Sequence, residues 1–72
     1  MDKLNVAVVG ATGLVGEVIV SILEERNFPI ETLIPLASVR SAGRTMKFRE
    51  ETIPVMDLQS FDFNNTDLCF FS

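Results

Sequence analysis

The chain has 72 residues, 47% of them hydrophobic and 22% charged, with a formal net charge of -4. That composition allows one small globular domain at most, with a core kept marginal by the high surface-to-volume ratio of so short a chain. The acidic balance and the scatter of Arg40, Arg44, Lys47 and Arg49 argue against a nucleic-acid surface, and the apolar stretches Val6 to Val9 and Leu14 to Leu23 fall well short of the roughly 20 residues of a membrane span.

Asp2 and Lys3 lead into a short apolar run and a glycine cluster, not into the basic and apolar regions of a secretory signal, so the chain reads as cytoplasmic. Its one cysteine, Cys69, has no partner for an internal disulfide, in keeping with a reducing compartment.

Leu4 to Val9 is a nearly continuous Val-rich run ended by Gly10, the pattern of a strand buried on both faces of a parallel sheet. From Leu14 onward, Val15, Val18, Ile19, Ile22 and Leu23 recur at helical spacing, with Glu17, Ser21, Glu24 and Glu25 opposite, which predicts an amphipathic helix. Asn27 and Pro29 stop it. Thr32 to Ser38 reads as a second strand in which Pro35, lacking a donor, suits an edge or a bulge. Ser41 to Arg44 is turn-like, and Thr45 to Phe48 with Glu51 to Val55 form a plausible hairpin around the tip Arg49-Glu50. Asp57 to Thr66 is polar apart from Phe61 and Phe63, and Asp67 to Ser72 opens another apolar strand. There is no repeat, low-complexity tract or interdomain linker.

Gly10-Ala11-Thr12-Gly13-Leu14-Val15-Gly16 spaces glycines by three between the predicted strand and helix. Such a turn lets backbone approach a phosphate and lets the helix pack closely on the strand, while the free N–H groups of the first helical turn and the helix dipole favour an anion. The alternative is a compact βα turn with no ligand; the strand before and helix after favour a pyrophosphate site. An NAD-binding domain usually offers an acidic residue at the end of strand two, to the ribose hydroxyls. Here the chain reads Ala37-Ser38-Val39-Arg40-Ser41-Ala42-Gly43 instead, a guanidinium, two hydroxyls and backbone donors that suit a 2′-phosphate, so NADPH fits better than NADH. Arg40 taken alone would be a solvated surface charge; its place after strand two argues otherwise.

Other candidates fall to plainer readings. Cys69 lies in an apolar run and reads as an inert hydrophobe. Phe61, Phe63, Phe70 and Phe71 read as core. Glu24, Glu25, Glu50 and Glu51 adjoin in sequence at exposed ends or tips and form no acid/base pair, and without His or a Cys cluster no zinc site is visible.

Val6 to Gly16, the helix end Leu23-Glu24-Glu25-Arg26-Asn27-Phe28-Pro29, the run Leu36 to Gly43 and the closing Asp67 to Ser72 together resemble the amino terminus of aspartate-semialdehyde dehydrogenases, essentially end to end. The glycine turn is shared widely; the Ala-Ser-x-Arg-Ser-Ala-Gly run and the closing segment are more specific. The resemblance implies a Rossmann-like α/β domain, here its incomplete amino-terminal part over residues 1–72, from an enzyme that reductively dephosphorylates aspartyl phosphate with NADPH. It places Thr12, Gly13, Leu14 and Val15, after Gly10, at the pyrophosphate and Arg40 and Ser41, with Ser38 as an addition, at the 2′-phosphate. The family's cysteine nucleophile, histidine acid/base and substrate arginines lie in a catalytic and dimerisation domain that this chain lacks, and the parent is expected to be a homodimer. The same pattern occurs in a sister group of dehydrogenase-like proteins without the full catalytic set, in which the arginine can be replaced; its retention favours the dehydrogenase. An extended short-chain reductase-like protein fits less well, because the hairpin interrupts βα alternation. One helix and about three sheet strands leave Phe70-Phe71 uncovered, so this segment is expected to fold poorly alone.

Overall fold

The computed structural model describes residues 3–72; Met1 and Asp2 lie outside the described residues. The elements run β1 (Leu4–Val9), α1 (Leu14–Glu25), β2 (Ile30–Ala37), β3 (Thr45–Phe48), β4 (Glu51–Pro54), β5 (Met56–Asp57) and β6 (Leu68–Phe71), with short 3-10 turns at Leu58–Ser60 and Phe63–Asn65.

β1 carries apolar residues on both faces and lies deep between its neighbours: Val6, Ala7 and Val8 are fully buried. It is central in a parallel four-stranded sheet of order β5-β2-β1-β6. The register sets Val6 beside Leu33 of β2 and Leu68 of β6, and Val9 beside Leu36 and Phe71. β2 starts at Ile30, earlier than the expected Thr32, because buried Ile30 already pairs with Leu4, and it ends at Ala37 before Ser38. β5 was not anticipated; its two residues, paired with Leu36 and Ala37, are too short to carry a periodic signal. Pro35 faces away from β1, since neighbouring Leu36 directs its carbonyl to Gly10 and Ala11, and it stands just before β5 begins. Its missing donor therefore costs no ladder bond, as expected of an edge position.

α1 lies on the sheet face of Val6 and Val8, where Val20 and Leu23 join Ala11, Ile30, Leu33 and Phe48 in one core. The buried stripe differs from the predicted one. Gly16, Val20 and Leu23 face inward and Ile19 is half-buried, while Val15, Val18 and Ile22 are exposed. The bare Gly16 edge turns toward the sheet because only there can the backbones touch: a Cβ on Gly16 would lie 2.1 Å from the Gly10 carbonyl oxygen. The helix ends in a Schellman motif, with Phe28 N–H donating to the Leu23 carbonyl and Asn27 N–H to that of Glu24, while Asn27 takes φ 52°.

The β3–β4 hairpin stands between β2 and β5, where a crossover helix would be expected, and adds Phe48, Met46 and Ile53 to the same core. Its tip residues Arg49 (φ 51°) and Glu50 (φ 69°) form the left-handed two-residue turn that suits strand twist. Arg49 holds that tip to the end of α1: its N–H donates to the Glu24 carboxylate, its guanidinium to the Phe28 carbonyl, and the cation lies 4.8 Å from the Phe48 ring centroid.

The aromatic residues correct the expected core. Phe70 packs against it and Phe61 is half-buried, but Phe71 is 74% exposed and Phe63 also lies at the surface, edge-on to Phe61 at 4.8 Å. Alternation along β6 puts Phe71 on the face opposite α1. Cys69 shares that face, and partial burial pushes its thiol pKa up.

Two outcomes follow. Gly16→Ala would drive a methyl into the Gly10 carbonyl and lower stability by about 1–3 kcal/mol in urea denaturation, despite alanine's higher helix propensity. Because the Cys69 thiol is favoured in its neutral form, its contribution to stability is present below the ordinary thiol pKa and is lost as pH rises through the raised one. Iodoacetamide should accordingly alkylate Cys69 more slowly than a peptide thiol at slightly alkaline pH, and equal rates would contradict this.

Candidate nucleotide site

The strand order reverses at β1: the chain passes from it to β2 and β5 on one side, then returns to lay β6 on the other. Open α/β sheets bind ligands at such a switch, beyond the carboxyl ends of the strands. A cleft of about 550 Å³ lies there, and all four strands deliver residues to it: Val9 and Gly10 at the end of β1, Ala37 and Ser38 at the end of β2, Leu58 and Gln59 after β5, and Ser72 after β6. Thr12, Gly13, Val39 and Ser41 complete the wall. A second hollow, of about 430 Å³, separates the start of β2 from the hairpin and is lined by side chains of both charges, Lys3, Glu31, Arg49 and Glu51.

The glycine turn is organised around one atom, the carbonyl oxygen of Gly10. That oxygen accepts from Gly13 N–H at 3.1 Å and from the Ser72 hydroxyl at 3.2 Å, and it is the atom that a side chain at Gly16 would strike. Gly10 itself has φ +78°, and a Cβ there would lie 2.2 Å from Ser72 Oγ. Gly10 and Ala11 N–H both donate to Leu36 O, at 2.8 and 3.1 Å, tying the turn to the end of β2. Gly13 is different: it has φ -80° and room for a Cβ, so what it supplies is a wall without a side chain. It caps α1 with no side-chain bond, and among the described residues the Leu14 and Val15 N–H groups have no acceptor. Leu14 and Val15 side chains are exposed and outside the cleft lining, so any ligand contact is made by their backbone.

After β2 the chain makes one helical turn, with Ser41 and Ala42 N–H donating to Ser38 O at 2.9 and 3.0 Å. The first amides of this turn, Val39 and Arg40, have no acceptor among the described residues, nor is any hydrogen bond formed by the Ser38 and Ser41 hydroxyls. Arg40 is exposed between Ser38 and Ser41, beside the cleft and not among its lining residues. The acidic residue of β2, Glu31, lies at its opposite end.

Six of the predicted positions thus gather at one place: Gly10, Thr12, Gly13, Ser38 and Ser41 line the cleft, and Arg40 borders it. Leu58, Gln59 and Ser72 were missed. The first two depend on the unanticipated β5; Ser72 becomes visible only when the closing apolar run is set beside β1 in the strand order. The described residues include no cluster of His, Cys, Asp and Glu fit for a metal, and no helix long and apolar enough to cross a membrane.

Known proteins share this architecture. The family model for the semialdehyde dehydrogenase NAD-binding domain matches residues 5–72. An aspartate-semialdehyde dehydrogenase from Legionella pneumophila is 59% identical over 69 residues, 96% of this chain and 20% of that protein. A USG-1 protein homolog from Pseudomonas aeruginosa is 55% identical over 99% of the chain and 21% of its own length. Among solved structures, aspartate semialdehyde dehydrogenase II from Vibrio cholerae, complexed with ASA, superposes with a TM-score of 0.96 at 42% identity, over 99% of this chain and 24% of that one. The chain therefore spans about a fifth of the length of the curated relatives it matches. The dinucleotide-binding fold expected from the glycine turn is the one found, incomplete relative to the solved structures, and the chain belongs to the semialdehyde dehydrogenase NAD-binding domain family.

Proposed function

We propose that the cleft binds NADP(H), and that residues 1–72 are the amino-terminal part of the nucleotide-binding domain of an NADPH-dependent aspartate-semialdehyde dehydrogenase. The observation that carries this reading is that two turns with unpartnered backbone amides, Gly10 to Val15 and Ser38 to Ser41, meet at one cleft at the carboxyl end of β1.

The residues fit the group. The Leu14 and Val15 amides at the start of α1, with Thr12 and Gly13 beside them, offer donors and a favourable dipole to a pyrophosphate, and the Gly10 conformation shapes that turn. Ser38, Ser41 and the Arg40 guanidinium, joined by the Val39 and Arg40 amides, offer donors to a 2′-phosphate, where NAD-specific domains place a carboxylate. Bound NADPH supplies hydride; these residues bind and orient it. The substrate site, the reductive dephosphorylation of aspartyl phosphate and a homodimeric, cytoplasmic enzyme belong to the longer polypeptide under the same reading.

The 55% identity to a protein named otherwise than as a dehydrogenase supports a second reading, a homologue that keeps the nucleotide fold without the catalytic set. Sequencing the frame past Ser72 separates the two: a cysteine and a later histidine in family context support the enzyme, and a long frame lacking that cysteine supports the homologue.

In the full-length protein, Arg40→Ala should weaken NADPH by about 10–100-fold, the loss of a charged hydrogen bond worth roughly 1.5–3 kcal/mol, with NADH affected less than about twofold. Calorimetric titration of both cofactors checks this, and equal losses would refute the assignment of Arg40.

A further inference from the structure

We infer that Ser72 is a positioning residue for the dinucleotide, holding the glycine turn in its phosphate-binding shape from across the switch point. The inference rests on the reading of the cleft as a dinucleotide site. Ser72 follows β6, more than 60 positions from the turn, yet two donors join it there: its N–H donates to Val9 O at 3.1 Å, and its hydroxyl proton is shared between Val9 O at 3.0 Å and Gly10 O at 3.2 Å. A hydroxyl has one proton, and both acceptors are backbone carbonyls, one ending β1 and one opening the turn. That proton is therefore committed inward, and Ser72 does not act as a phosphate donor although it lines the cleft.

Its effect passes through the Gly10 carbonyl, whose orientation sets the Gly10–Ala11 peptide plane and the position of Gly13, the cap of α1. The remaining contacts of that oxygen and peptide lie within the turn itself or on β2, so Ser72 is the link that makes the turn answer to β6. Without the hydroxyl, the Gly10 carbonyl keeps only Gly13 N–H, and its peptide is held otherwise by Ala11 N–H on Leu36 O alone, a looser hold at a glycine. The amides of Leu14 and Val15 then lose their fixed direction.

The site affected is the pyrophosphate end alone, since the Ser38 to Ser41 turn has no bond to Ser72. In the full-length protein, Ser72→Ala should weaken NADPH and NADH alike by about tenfold and leave adenosine 2′-monophosphate, which has no 5′-phosphate to reach the glycine turn, unchanged. Ser72→Thr, which keeps the hydroxyl, should restore both dinucleotides. Unchanged NADPH affinity in Ser72→Ala, or an equal loss for all three ligands, would overturn the assignment. Failure of the unsubstituted protein to bind either dinucleotide would instead overturn the cleft reading, and this inference with it.

Discussion

The Gly10 carbonyl oxygen is the point on which the arrangement of strand, helix and cleft depends. Two of the glycines are explained by this one atom: Gly10 supplies it from a left-handed backbone, and Gly16 is bare so that the helix can rest on it; Gly13 donates to it with an N–H that any residue but proline would offer, and its missing side chain leaves the cleft wall open. The oxygen is thus enclosed by its own turn, and the amides that follow are left pointing outward. The turn satisfies its carbonyl inside and leaves its donors outside, the arrangement that suits an anion.

The same close approach sets the rotation of α1. With Gly16 inward, Val20 and Leu23 follow it into the core, and Val15, Val18 and Ile22 come to the surface. The hairpin then completes that core from the far side, clamped at its tip by Arg49 on the helix end. Replacing a crossover helix by a hairpin keeps β2 short-edged: β5 pairs only with its last residues, and those are the ones leading into the Ser38 to Ser41 turn. The sheet is most complete where the cleft needs it.

Much of this was legible in the sequence. The Val-rich run, the glycine spacing, the Asn27-Phe28-Pro29 stop and the Arg49-Glu50 tip each carry a local chemical signal, and each element appeared where that signal put it. The face of the helix did not, because periodicity reports which residues are apolar and not which side a glycine allows to touch. Phe71 and Phe63 were misjudged for a related reason: an apolar residue in a strand is buried only if something packs on its face. β5, and with it Leu58 and Gln59, was beyond a local reading, since a two-residue strand exists only through its partner. Arg40 and the serines around it are proposed from what replaces the missing acid, a chemical argument that needs only their place after β2.

Binding of one 2′-phosphorylated dinucleotide between the two turns, as proposed, is checked at both ends at once by an amide-resolved NMR titration of the full-length protein with NADPH. Saturable shifts are expected at Gly13, Leu14, Val15, Val39, Arg40 and Ser41, all with one dissociation constant. Shifts confined to the hollow lined by Lys3, Glu31 and Arg49, or at only one of the two turns, would contradict it.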